Sequence, residues 1–97
     1  MPDGVVGPVL RLYVAGHGPN SVRARANLRD LCDRHLPDGY SLEIVDVFDD
    51  PGRALAEGVL LTPMLVIASA QPPRRVLGSL DEPHVVLAAL GLQAGSP

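Results

Sequence analysis

The segment Val9–Val14 (VLRLYV) is followed by a Gly/Pro loop, a long amphipathic stretch and a second β-branched run, Ser41–Phe48. This order constrains the chain more than any other feature. In the first run Leu10, Leu12 and Val14 point one way and Val9, Arg11 and Tyr13 the other, as a strand requires. Between the runs, Ala24, Leu28, Leu31, Cys32, His35 and Leu36 make one apolar helical stripe. Arg23, Arg25, Arg29, Asp30, Asp33 and Arg34 fall mostly off it and are expected in solvent. Asn20 or Ser21 is placed to cap the helix, and Pro37-Asp38-Gly39 ends it. Two strands joined by such a helix form a βαβ unit, parallel and right-handed in its crossover.

The second half has shorter elements. Asp50 as N-cap, Pro51 at the first helical position and Gly58 as stop predict a short helix over Pro51–Glu57. Met64–Ala68 reads as a third strand. Gln71-Pro72-Pro73 turns the chain into an antiparallel fourth, Arg74–Leu77. Asp81 is placed to cap a last helix containing Val85–Leu90, with Gly91 as its stop. The order βαβ then αββα makes a single α/β domain over residues 1–97 of thioredoxin-like βαβαββα type. Its ordered core is expected over about 9–91, with flexible ends at 1–8 and 92–97. In that fold a cis-proline precedes the third strand, which assigns the role to Pro63; an ordinary trans turn is the alternative.

Composition narrows the function. Only three of 97 residues are aromatic, so the core must be aliphatic. No apolar run reaches the ~18–20 residues of a membrane span, and the N-terminal residues do not read as a signal peptide. A cytoplasmic protein without a membrane partner is expected. Net charge −3 gives no field that favours nucleic acid. The lone Cys32 excludes an intramolecular disulfide, a cysteine zinc site and a C-x-x-C pair. A thioredoxin-like redox enzyme carries its thiol where the first strand meets the first helix. Here that loop, Gly16–Ser21, has none, and Cys32 lies three turns into the helix, which leaves an oxidoreductase or transferase as a remote alternative.

No other residue set carries catalysis. His17 lies between two glycines ahead of a helix, where it is either a turn residue or an anion contact; the P-loop spacing is missing. His35 and His84 lack a partner ligand one turn away, so no metal or cofactor is expected. Asp46, Asp49 and Asp50 face no second acidic cluster, so a two-carboxylate hydrolase is unsupported. All eight basic residues are Arg, a bias that genome composition alone produces. Arg74 and Arg75 alternate faces of a strand, one suited to a partner contact and one to guarding an edge.

Five stretches then carry a resemblance: LRLYVAG (Leu10–Gly16), PNSVRA (Pro19–Ala24), Ile44–Val47, LLTPMLV (Leu60–Val66) and PPRRVLGSL (Pro72–Leu80). In this order, without gaps from Val9 to about Leu90, they resemble KaiB, the circadian clock family of cyanobacteria and their bacterial relatives. The resemblance implies a non-enzymatic module that binds a KaiC-type ATPase/kinase ring, captures a KaiA-like protein and displaces a sensor histidine kinase. A chain this short resembles the stand-alone protein rather than a kinase-linked one. The family has two folds: a thioredoxin-like monomer and a tetramer with a rearranged C-terminal half, βαββααβ. Arg23, Arg74 and Arg75 match arginines implicated in partner contacts; Pro63, Pro72 and Gly78 match positions of the switching half.

Departures from the family pattern carry expectations too. Glu43, Gly58 and Ile67 stand where the family typically has Lys, Pro8 and Ala94 replace aromatics, and the acidic tail is missing. Ala89 stands where the family tends to have Gly, which favours a helix by about 0.5–1 kcal/mol. The expectation is therefore the thioredoxin-like form, monomer or weak dimer, with the tetramer as alternative. The missing lysines also motivate a second functional reading, an adaptor in stress response or signalling without clock work.

Overall fold

Strand β1 (Val9–Val14) lies inside a four-stranded sheet and carries both faces of the core. The computed structural model describes residues 7–92. After β1 come α1 (Pro19–His35), β2 (Ser41–Asp46), α2 (Pro51–Ala56), β3 (Met64–Ile67), β4 (Arg74–Leu77) and α3 (Pro83–Ala89). The strand order is β2-β1-β3-β4. β1 runs parallel to β2, with Val9 opposite Ser41 and Val14 opposite Asp46. β3 is antiparallel to β1 and to β4. This is the thioredoxin-like order expected from the sequence, with the last segment helical through Ala89.

The alternation of β1 sorts the core into two layers. Leu10, Leu12 and Val14 pack with Ala24, Leu28, Leu31 and Cys32 of α1 and with Val86 and Leu87 of α3. Tyr13 turns to the opposite face and packs with Val45, Ala54, Val59 and Val66. Helices α1 and α3 thus cover one face and α2 the other. A strand covered on both sides must be apolar on both, and β1 is, except at Arg11.

Several local details differ from the sequence expectations. Neither Asn20 nor Ser21 caps α1: Gly18 holds that position with no side-chain cap, and Pro19 opens the helix. Ser21 Oγ instead accepts the backbone N–H of Ala15 (3.2 Å), which folds the loop back onto the end of β1. His35 is exposed rather than part of the apolar stripe. β2 stops at Asp46, not Phe48, because the Asp46 carboxylate accepts the N–H groups of Gly16 (3.2 Å) and Phe48 (3.0 Å) and draws the chain into a turn. α2 and β3 each end one residue earlier than expected. Asp81 does not cap α3; Glu82 holds the N-cap position, without a side-chain bond.

Both Thr62–Pro63 and Gln71–Pro72 are cis, the first as expected and the second not foreseen. Residues 1–6 and 93–97, including Ala94, lie outside the described residues.

Candidate protein-interaction site

The three arginines singled out in the sequence do not converge. Each reaches from its own element to a helix end in the second half of the chain. Arg23, on α1, donates from Nη2 to Asp81 Oδ2 (2.7 Å) just ahead of α3. Asn27 Nδ2 donates to Asp81 Oδ1 and to the carbonyl of Ser79 (both 2.9 Å), and Ser79 Oγ donates to Asp81 Oδ2 (2.6 Å). The Ser79 hydroxyl first, then Asn27 and Arg23, hold the Asp81 carboxyl below the usual range.

Arg74 Nη1 donates to the carbonyl of Ala89 at the end of α3 (2.8 Å). Arg75 Nη2 donates to the carbonyl of Glu57 at the end of α2 (2.5 Å). The two neighbours thus reach opposite faces of the sheet, as their alternation in a strand requires. Among the positions of the switching half, Pro63 is buried, Pro72 is exposed, and Gly78, at φ +107°, donates its N–H to the Pro63 carbonyl (2.9 Å).

Two features escaped the sequence. On the α2 face, Arg11 donates from Nε to Glu57 Oε1 and from Nη2 to Oε2, both at 2.9 Å. Tyr13 Oη donates to the same Oε1. Arg11 foremost, with Tyr13 and nearby Arg75, pulls the Glu57 carboxyl down to about 2. Burial above all pushes the Tyr13 phenol up. Both oxygens of Glu57 are thus taken, so the group fastens α2 to the sheet and is not a free base. Arg53 pairs with Glu43 beside it. The i, i+2 spacing of Arg11 and Tyr13 put both on one face, but nothing local announced Glu57, 46 positions away from Arg11.

The second feature is an apolar corner. Phe48 is 73%, Leu55 71%, Leu60 84% and Leu61 61% exposed. A groove of about 430 Å³ runs among Val47, Phe48, Leu55, Val59, Leu60 and Thr62. Asp49 and Asp50 are exposed next to Phe48 in the chain; Asp50 Oδ1 accepts the N–H of Arg53 and caps α2. The paired leucines before Thr62-Pro63, both exposed, were the available sequence signal.

Chemistry is sparse elsewhere. Among the described residues no group of three His, Cys, Asp or Glu could hold a metal. Cys32 is fully buried in α1, and burial, with Asp33 adding, pushes its thiol up to about 11. A reactive thiol needs the opposite environment, exposed and electropositive. Among the described residues no helix is long and apolar enough to cross a membrane.

Residues 11–92 match the family described as the KaiB domain. The chain belongs to the KaiB family. It is 40% identical over 84 residues to the circadian clock oscillator protein KaiB of Prochlorococcus marinus (strain MIT 9313), covering 87% of this chain and 71% of that one. It is 37% identical over 94 residues to the circadian clock protein KaiB3 of Synechocystis sp., covering 92% of each. In structure it resembles mitochondrial thioredoxin 3 of Saccharomyces cerevisiae, with a TM-score of 0.70 at 16% identity over 87% of this chain and 76% of that one. That likeness shows the thioredoxin-like fold alone.

At three positions the resemblance implies Lys in the family. Ile67 is buried in the core, and Glu43 is paired with Arg53. A Cβ on Gly58 would stand 3.5 Å from the Arg75 guanidinium. A cation at 58 would therefore confront Arg75, and one at 67 would be buried.

Proposed function

We propose that this chain is a non-enzymatic KaiB module that binds a KaiC-type ring ATPase and regulates a timing system. The observation that carries the reading is the apolar corner formed by Phe48, Leu55 and Leu60. Three large apolar side chains at more than 70% exposure around one groove is a cost that a small domain avoids unless another protein covers them. Family membership supplies the class of partner. Arg75 on the α2 side of the sheet, and Arg23 and Arg74 on the α1 and α3 side, each with guanidinium donors beyond the one bonded, would supply charged contacts. A KaiA-like protein or a sensor histidine kinase would join or compete on the ring. The chain would act in the cytoplasm as a monomer or weak dimer.

The test is co-elution with the KaiC-type ATPase of the same organism in the presence of ATP. Wild-type chain should travel with the ring and the Phe48→Ser, Leu60→Ser double variant should not. Absence of any complex with wild-type chain would overturn the reading.

One observation favours a second reading. At two positions where the resemblance implies Lys stand an ion-paired Glu43 and a Gly58 against Arg75, so the charge pattern of this surface is its own. An adaptor serving stress response or signalling fits that altered surface. Deletion that leaves daily rhythms intact but changes stress survival would select it over the clock role.

A further inference from the structure

The apolar corner has an acidic end. Its groove is lined by Val47, Phe48, Pro51, Leu55, Val59 and Leu60 among others. Asp49 and Asp50 stand between Phe48 and Pro51 in the chain, and both are exposed. The ion pairs among the described residues use neither. Asp50 gives Oδ1 to the N–H of Arg53, and Asp49 has no side-chain hydrogen bond among the described residues. The nearest basic residue in the sequence, Arg53, turns its guanidinium to Glu43. Two uncompensated negative charges therefore sit beside the protein's one phenylalanine, itself 73% exposed.

The corner is also set in place before anything binds. One oxygen of Asp46 accepts the N–H groups of both Gly16 (3.2 Å) and Phe48 (3.0 Å). A Cβ on Gly16 would lie 3.4 Å from the Phe48 ring, so the ring rests close against the loop between β1 and α1. A surface fixed in advance loses less entropy on binding.

Charge decides what covers it. A two-fold interface pairs a patch with itself, so a second copy meeting corner to corner would set aspartates against aspartates. An anionic membrane surface is repelled in the same way. Apolar surface beside unpaired carboxylates is complemented by apolar side chains beside a cation. We propose that the corner receives a partner segment that places large apolar side chains against Phe48, Leu55 and Leu60 and a Lys or Arg beside Asp49. This rests on the reading of the corner as a protein contact, and adds the charge of the segment that fills it.

The probes are two acetylated, amidated peptides with one apolar core, KKLFLGS and EELFLGS. Each is titrated into the whole isotope-labelled chain and followed by NMR at low salt. KKLFLGS should move the amide signals of Phe48, Leu55 and Leu60 and bind about fivefold more tightly than EELFLGS, the scale of one well-placed exposed ion pair. The preference should fade at about 1 M salt, where the screening length is about 3 Å. Asp49→Asn should weaken the preference and Asp49→Lys should reverse it. Asp50 is left in place because it caps α2. Phe48→Ser should weaken both peptides.

No binding of KKLFLGS, equal affinities for the two peptides, an order unchanged in Asp49→Lys, or signals that move away from the corner would overturn the inference. The ring reading fails on a different result, the absence of co-elution of wild-type chain with the ring ATPase, so the two failures are told apart.

Discussion

Arg11 and Glu57 meet through two parallel hydrogen bonds of 2.9 Å, one strand residue holding the residue that ends a helix on the other side of a loop. The pair is about three-quarters covered on each side chain, and Tyr13 adds a third donor. Removing one partner therefore leaves a poorly solvated charge behind. Glu57→Gln should lower stability by about 1.5–3 kcal/mol, measured by urea denaturation at neutral pH. Glu57→Gln with unchanged stability would show that the pair does not fasten α2.

The same carboxylate gives a pH signature. The folded carboxyl is held down to about 2, below its ordinary value of 4.5. A depressed acid stabilises the fold above its unfolded pKa, and the contribution fades as pH falls toward the folded value. Wild-type stability should therefore decline between about pH 5 and pH 2, and Glu57→Gln should show a shallower slope over that window. Parallel profiles for the two proteins would assign the acid sensitivity to other carboxylates.

How far the sequence reached depends on the range of each interaction. β1 and β4 were legible to the residue because period-two alternation and flanking Gly and Pro are local signals. The end of β2 was not, because Asp46 turns the chain through bonds to Gly16, 30 positions away, and to Phe48. Ser21 was legible as a residue that bonds backbone but not as to which backbone, since Pro19 and Gly18 moved the helix start past it. Arg23, Arg74 and Arg75 were found through resemblance, yet their present partners, Asp81 and the carbonyls of Ala89 and Glu57, lie 15 to 58 positions off. The apolar corner is a property of the assembled surface: Phe48 read as the last residue of a strand and Leu55 as part of a short helix.

That corner separates stability from association. Phe48 and Leu60 lose little buried area when shortened, so Phe48→Ser with Leu60→Ser should leave the unfolding free energy from urea denaturation within about 0.5 kcal/mol of wild type. Association with the ring ATPase should fall at least about tenfold, because exposed apolar anchors dominate such interfaces. Loss of folding in the double variant would show that the corner packs internally.

Cys32 tests the remote enzymatic reading. It is fully buried and its thiol is pushed up to about 11, so a thiol reagent at neutral pH should react only as fast as the chain opens. Labelling should be slow in buffer and prompt in denaturant. Cys32→Ala should keep partner binding and lose about 1 kcal/mol from the vacated core space. Rapid labelling of native chain would reopen thiol chemistry.

The last prediction concerns Gly58, where the resemblance to the family implies Lys. Its φ of +73° is left-handed, which glycine adopts freely and other residues pay for, and a Cβ there lies 3.5 Å from the Arg75 guanidinium. Gly58→Ala isolates the backbone penalty and should cost about 1 kcal/mol. Gly58→Lys adds a second cation beside Arg75, which already donates to the carbonyl of Glu57 one residue earlier. It should therefore cost more than Gly58→Ala at low salt and converge on it at about 1 M salt, where the screening length is about 3 Å. Equal stabilities of the two variants at low salt would show that Arg75 moves aside, and that the missing lysine reflects the partner rather than the fold.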